Sequence, residues 1–288
     1  MSLSASPIGV FDSGLGGLSV AGRFLHTTPT EPLLYFADTI HVPYGGRPLE
    51  EVKSFALSIC DFLVAEGAKM IVMACNISSA IALADARCRY PDIPIIGVVE
   101  PGSASAVATG AERIGVLATQ GTVSSGAYSR IIHRLSPDAD VTEVACPRFV
   151  PLVESGSTGT DDAIDAAIEY LTPIAQARCQ TIVLGCTHYP FLSDALQVAA
   201  GRLFGDNLPT FLDPAIETVR AAADVLQARG LAAPSGHQIS NRYCVSADPA
   251  AFSRLAPILL GAPVGRPEVV TLPESSAIPA PRSLVSVL

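Results

Sequence analysis

Residues 68–76 read Ala-Lys-Met-Ile-Val-Met-Ala-Cys-Asn, and residues 179–187 read Cys-Gln-Thr-Ile-Val-Leu-Gly-Cys-Thr. Each is a short apolar run of the kind that fills a strand buried on both faces, and each closes on Cys followed by a polar residue. Ala68 and Cys179 lie 111 positions apart. A second pair, Ile8-Gly-Val-Phe and Ile114-Gly-Val-Leu, repeats at an offset of 106. Parallel strands resemble one another in any α/β protein, so the second pair alone decides nothing. The aligned cysteines at equivalent strand ends make the first pair the mark of a duplicated, half-sized α/β unit.

Working outward, apolar runs alternate with amphipathic stretches, the pattern of βαβ units around a parallel sheet. The predicted strands are 8–11, 33–36, 70–74, 95–99, 114–118, 141–144, 181–184 and 210–212, with helices between them such as 49–66 and 161–177. Thr160 is the expected N-cap of the second helix, since Asp161 and Asp162 then fall in a first turn that favours acids. From Pro263 onward the chain has five prolines and no helical period, which predicts an extended arm over 263–288.

Composition limits the function classes. A chain of 288 residues with 49% hydrophobic and 16% charged residues has the length of about two domains and enough apolar mass to exclude disorder. The longest apolar runs, such as 70–75, fall far short of the roughly 18 residues a membrane helix needs. The first residues lack the basic and apolar regions of a signal peptide, so a cytoplasmic location is expected. A net charge of −9 without any basic stripe argues against nucleic acid and anionic membranes as partners. Seven cysteines, an odd number, suit reduced thiols, and neither C-x-x-C nor zinc spacing occurs, so no metal is expected. Lysines are Lys53 and Lys69 alone, against sixteen arginines. Neither sits at a carboxyl strand end, which rejects a pyridoxal-phosphate Schiff base.

In such sheets ligands bind beyond the carboxyl ends of the strands. The first of these ends, Asp12-Ser-Gly-Leu-Gly-Gly, is neither G-x-G-x-x-G nor a Walker loop. Its small residues serve equally as a tight turn or as a seat for a carboxylate on backbone N–H groups. The second, Asp38 to Arg47, is an irregular loop with Pro43, Tyr44 and paired glycines; His41 there is expected to face solvent. The third and fourth are Ala74-Cys75-Asn76 and Gly185-Cys186-Thr187-His188. Each cysteine is read as ending a strand and opening a helix, a placement that lowers a thiol pKa. One buried cysteine is ordinarily a small hydrophobe. Two at equivalent positions of a duplicated unit are expected to face each other across one cleft. That pair suits removal of a proton from one side of a carbon and its return on the other. Cys60, Cys88, Cys146, Cys179 and Cys244 are read as packing or neutral positions.

Phe11-Asp-Ser-Gly-Leu-Gly-Gly, Asp38-Thr with Pro43-Tyr-Gly, Ala74-Cys-Asn, Val153-Glu-Ser-Gly and above all Leu184-Gly-Cys-Thr-His-Tyr-Pro resemble the bacterial glutamate racemases, in the order of that family, from Ile8 to Asp213. The last motif is the most specific and the glycine turn the least. The resemblance implies two similar doubly wound parallel-sheet domains related by a pseudo-twofold, with the active site in the cleft. It implies a first domain of residues 1–100 plus 209–262 and a second of 101–208. It also implies a cofactor-independent racemase, a cytoplasmic homodimer that interconverts L- and D-glutamate and supplies peptidoglycan synthesis. By position, Cys75 is implied as the base for D-glutamate and Cys186 as the base for L-glutamate. Asp12 is then expected to assist Cys75, with His188 and Glu154 beside Cys186. Ser13, Pro43, Tyr44, Gly45, Asn76, Ile77, Thr119, Thr122 and Thr187 are the implied substrate-binding positions, with hydroxyls and backbone N–H groups as carboxylate donors in place of an arginine clamp.

Two positions depart from the family pattern. Ile77 stands where Thr is usual, and Ala37 where Gly is. Ile77 removes a hydroxyl expected at the substrate, for which Ser78 or Ser79 are candidate replacements. A related racemase acting on aspartate and a non-catalytic acid-binding homologue stay open on these residues. A one-cysteine decarboxylase is disfavoured by the second thiol.

Overall fold

The computed structural model describes residues 3–234, 236, 240–261 and 263–272. The strands are β1 (Ile8–Asp12), β2 (Leu33–Ala37), β3 (Met70–Met73), β4 (Ile95–Gly97), β5 (Arg113–Ala118), β6 (Asp140–Ala145), β7 (Thr181–Gly185), β8 (Thr210–Leu212), β9 (Arg242–Val245) and β10 (Glu268–Val269). Between them run α1 (Leu18–Thr27), α2 (Leu49–Ala65), α3 (Asn76–Arg89), α4 (Val99–Ala108), α5 (Gln120–Ser125), α6 (Ala127–Leu135), α7 (Phe149–Glu154), α8 (Asp161–Gln176), α9 (Ser193–Phe204), α10 (Pro214–Ala228) and α11 (Pro249–Leu260).

The protein is α/β with two parallel sheets. One has the order β10-β9-β2-β1-β3-β4 and the other β6-β5-β7-β8, and every pairing is parallel. The order β2-β1-β3-β4 of the first sheet thus reappears as β6-β5-β7-β8 in the second. The two sequence repeats fall on β1 with β5 and on β3 with β7, so each sheet is organised around one copy of the same pair. Burial explains the composition: β1, β2, β3 and β7 are buried along their whole length, as strands covered by helices on both faces must be.

Helix starts are specified locally. Thr160 caps α8 by accepting from the Ala163 N–H, with Asp161 and Asp162 in the first turn. Asp213 caps α10 ahead of Pro214 in the same way, its carboxylate accepting from the Ala215 N–H at 3.0 Å. The apolar core does not stop at the boundary between the sheets. One buried cluster includes Val10 and Val72 of the first, Val99 and Ala106 of α4, Val219 of α10, and Val116 and Val183 of the second.

Sheet membership moves two expected boundaries. Thr210–Leu212, assigned by sequence to the first domain, pairs with Thr181–Val183 and extends the second sheet; the chain crosses back only with α10. Within the expected arm, Glu268–Val269 pairs with Cys244–Val245 at the edge of the first sheet, and residues 273–288 of that arm lie outside the described residues. Among the described residues no helix is long and apolar enough to cross a membrane.

Candidate active site

Adjacent strands of the first sheet deliver two chemical groups side by side. Asp12 is the last residue of β1. Cys75 follows β3 by two positions and is the N-cap of α3. The turn after Asp12 is held by its own carboxylate, which accepts from the Gly14 N–H at 3.1 Å, and by Tyr35, whose hydroxyl donates to the Gly14 carbonyl at 2.8 Å. A Cβ on Gly16 would lie 2.4 Å from Thr187 Oγ1 and 2.5 Å from His188 Nδ1. Glycine there is what lets the first half close on the second.

The loop after β2 is organised by Asp38. Its carboxylate accepts from the Tyr44 hydroxyl, the Ser246 hydroxyl and His41 Nδ1. Tyr44 is buried, and the next residue, Gly45, packs on Thr119 of the second half. His41, expected to face solvent, is half-buried and stacks on Phe55 with ring centroids 3.8 Å apart.

In the second sheet Cys186 directly follows β7, beside the β5 end that leads into Thr119. The sequence reading is corrected here: no α-helix opens at Cys186. A turn and a short 3-10 segment, Tyr189–Leu192, intervene before α9. Thr187 Oγ1 donates to Asp12 Oδ1 at 3.3 Å, across the two halves. His188 Nδ1 stands 3.7 Å from the Cys186 sulfur, and Nε2 donates to Glu154 Oε1 at 2.9 Å.

These groups enclose one cavity of about 380 Å³, within the range of small-molecule sites. Cys75 and Cys186 both line it, as do His188, Glu154 and every substrate-binding position expected from sequence: Ser13, Pro43, Tyr44, Gly45, Asn76, Ile77, Thr119, Thr122 and Thr187. Asp12 lies against this wall, fully buried, in contact with Thr187 and within electrostatic range of Cys75 and His188. No arginine or lysine is among the described residues lining the cavity, and no described cluster of three or more His, Cys, Asp or Glu side chains is arranged for a metal ion.

Electrostatics reverse one expectation. Burial, with the Asp12 charge, pushes the Cys75 thiol up to about 12, against donors on Ser78 that pull it down. Desolvation outweighs the helix N-terminus. Burial also raises the Asp12 carboxyl above the ordinary range, opposed by His188 and by N–H donors of the turn. Burial alone would lower His188, yet its hydrogen bonds to Cys186 and Glu154, with the Cys186 and Asp12 charges, raise it to about 10. The ring is therefore an imidazolium at neutral pH, a donor at both nitrogens.

A family model for Asp/Glu/Hydantoin racemase matches residues 19–226. The chain belongs to this racemase family. A glutamate racemase of Acidothermus cellulolyticus is 44% identical over 261 residues, covering 90% of this chain and 97% of that protein. Among solved structures, Francisella tularensis glutamate racemase in complex with D-glutamate superposes with a TM-score of 0.86 at 29% identity, over 93% of this chain and 98% of that one. Thermus thermophilus glutamate racemase in complex with β-chloro-D-alanine gives 0.82 at 41% identity, over 93% and 98%.

Within this racemase-family cavity, one residue went unread in the sequence, and the expectations for Ile77, Ser78 and Ser79 are corrected. Cys146, read as a packing position, is on the cavity wall with Pro147 and Pro151, because the short α7 that carries Glu154 lays its approach along the site. The prolines around α7 were the available signal. The Ile77 side chain is apolar wall: its Cδ1 lies where only a glycine fits, 2.3 Å from any Cβ added to Gly121 of α5. Neither candidate replacement hydroxyl is among the lining residues. Ser78 has the Cys75 sulfur as its polar neighbour and no N or O partner, and Ser79 Oγ accepts from the Val99 N–H at 3.2 Å.

Proposed function

We propose that this chain is a glutamate racemase that inverts Cα by proton transfer between Cys75 and Cys186. The single observation that carries the reading is two thiols from equivalent strand ends of two similar sheets lining one cavity, each with its own acid–base companion. For L-glutamate, the Cys186 thiolate takes the Cα proton while the Cys75 thiol, kept protonated by burial, delivers its own proton to the opposite face. For D-glutamate the two exchange roles, and Asp12 is the carboxylate beside Cys75 that receives its proton beforehand. His188, fixed by Glu154, gives the Cys186 sulfur a hydrogen-bond donor.

With no arginine or lysine on the wall, the substrate carboxylates fall to hydroxyls of Ser13, Thr119 and Thr122, to the Asn76 amide and to backbone N–H groups, that of Thr187 included because its hydroxyl donates to Asp12. Charge-assisted hydrogen bonds of this kind contribute roughly 1.5–3 kcal/mol each. The D-glutamate bound by the Francisella relative supports this substrate. A cytoplasmic homodimer that feeds peptidoglycan synthesis is the setting we infer.

Incubation with L-glutamate in D2O without added cofactor tests the reading. Optical rotation is expected to decay to zero while deuterium enters Cα. Optical rotation that persists, with no deuterium at Cα, overturns it.

A further inference from the structure

Tyr128, on α6 of the second half, is not among the residues lining the cavity, yet its hydroxyl donates to Asn76 Oδ1 on α3 of the first half at 2.7 Å. Both side chains are buried, Tyr128 completely. The ring is seated on glycines: a Cβ on Gly185 would lie 3.1 Å from Tyr128 Cε2, and one on Gly102 would lie 3.4 Å from its hydroxyl. Glycine at both positions lets the phenol pack closely there, and burial keeps its proton on by raising its pKa.

An Asn amide has an acceptor at one end and two donors at the other. The Tyr128 hydroxyl, which is not on the cavity wall, occupies the acceptor end. Among the described residues Asn76 Nδ2 donates to nothing, while Asn76 itself lines the cavity. We propose that Tyr128 is a positioning residue: by holding Asn76 Oδ1 it turns the two Asn76 N–H donors into the cavity to receive a substrate carboxylate. Without that hydroxyl the amide is free to rotate and present its oxygen, which repels an anion. This rests on the glutamate-racemase reading and adds a residue outside the cavity wall that sets how the substrate is bound. It also makes carboxylate recognition by the first half depend on α6 of the second.

The test is Tyr128→Phe, which keeps the ring on Gly185 and removes only the hydroxyl. Loss of an oriented hydrogen bond to a charged group is expected to raise the KM for both enantiomers about ten-fold, with kcat within about three-fold, because the contact serves ground and transition states alike. In an Asn76→Ala background, itself expected to raise KM about ten-fold, adding Tyr128→Phe is expected to change KM no further. An unchanged KM in Tyr128→Phe, or a further rise of the same size in the Asn76→Ala background, overturns the proposal and leaves a purely structural hydroxyl. Should Tyr128→Phe fail to fold, Asn76→Ala with an unchanged KM overturns it independently. Wild-type protein that exchanges no Cα proton in D2O sinks the racemase reading itself, whereas normal exchange with a silent Tyr128→Phe sinks this inference alone.

Discussion

Cys75 carries the most specific consequence at the scale of single residues. Its thiol is held near 12 by burial and by Asp12, so at neutral pH it is an acid that becomes a base only when a neighbour accepts its proton. Serine at this position keeps the size of the side chain but replaces the thiol with a far weaker acid. Racemisation needs one acid and one base in either direction. Cys75→Ser is therefore expected to cut turnover of both enantiomers by about 10²–10⁴-fold, measured by polarimetry from each side, while circular dichroism is unchanged. Near-wild-type rates would refute the assignment. Cys60→Ala, in the apolar core and not on the cavity wall, is the matched control and is expected to leave rates alone. Ile77 gives the opposite kind of prediction. Because its Cδ1 fills the notch at Gly121, Ile77→Thr removes packing and buries a hydroxyl, an expected cost of about 1–3 kcal/mol seen as a lower melting temperature. A melting temperature equal to wild type, with a lower KM, would mean that the site was short of a hydroxyl donor.

At the scale of elements, the turn between β1 and α1 is where sterics can be separated from chemistry. A methyl group on Gly16 meets Thr187 and His188, and both are held by partners: Thr187 by Asp12, His188 by Glu154. Neither can yield without disturbing the second half. Gly16→Ala is expected to destabilise the protein by about 1–3 kcal/mol and to lower activity well beyond the folded fraction lost. Gly159, in the exposed turn before α8 and not on the cavity wall, has nothing within 4 Å of an added Cβ, so Gly159→Ala is expected to be silent in both urea titration and assay. Equal effects of the two would show that the turn does not set the closure of the halves. The same scale explains what the sequence revealed. Six strands, β1 to β5 and β7, were legible because each is a buried apolar run. β6 and β8, expected buried from their short apolar stretches, are partly exposed strands at the edges of the second sheet. The cysteines at equivalent strand ends exposed the duplication. β9 and β10 were not legible: Arg242–Val245 opens on an ion-paired arginine, and Glu268–Val269 is two exposed residues whose strand character comes from pairing with β9. Tyr128 and Cys146 were missed for a similar reason. Their roles depend on which element of the other half, or which wall, lies opposite, and no local pattern encodes that. The direction of the Cys75 shift was missed because local helix geometry argued for lowering and burial, a property of the whole fold, prevailed.

At the scale of the whole molecule, the two halves meet through a seam that is also the candidate active site. Asp12 with Thr187, Asn76 with Tyr128, and Ile77 with Gly121 all bridge it. His188 stands in this seam with its pKa raised from 6.5 to about 10. A histidine whose pKa rises on folding stabilises the native state fully below its unfolded value. That stabilisation is lost as pH climbs from about 6.5 through about 10. The slope cannot exceed about 1.4 kcal/mol per pH unit, the value for one proton released on unfolding. Cys75 acts in the same direction but in a higher window, between its ordinary 9.0 and about 12, so below pH 9 the loss belongs chiefly to His188. Wild-type protein is therefore expected to become progressively easier to unfold in urea between pH 6.5 and 9. In His188→Asn, which has no proton to lose, the same titration is expected to be markedly flatter, whatever its starting stability. The comparison of slopes separates the charge from the packing of the ring, because a packing defect shifts the whole curve and leaves its pH dependence intact. Parallel curves for the two proteins would mean that the His188–Glu154 pair is not held charged in the seam, and the donor assigned to the Cys186 sulfur would fall with it.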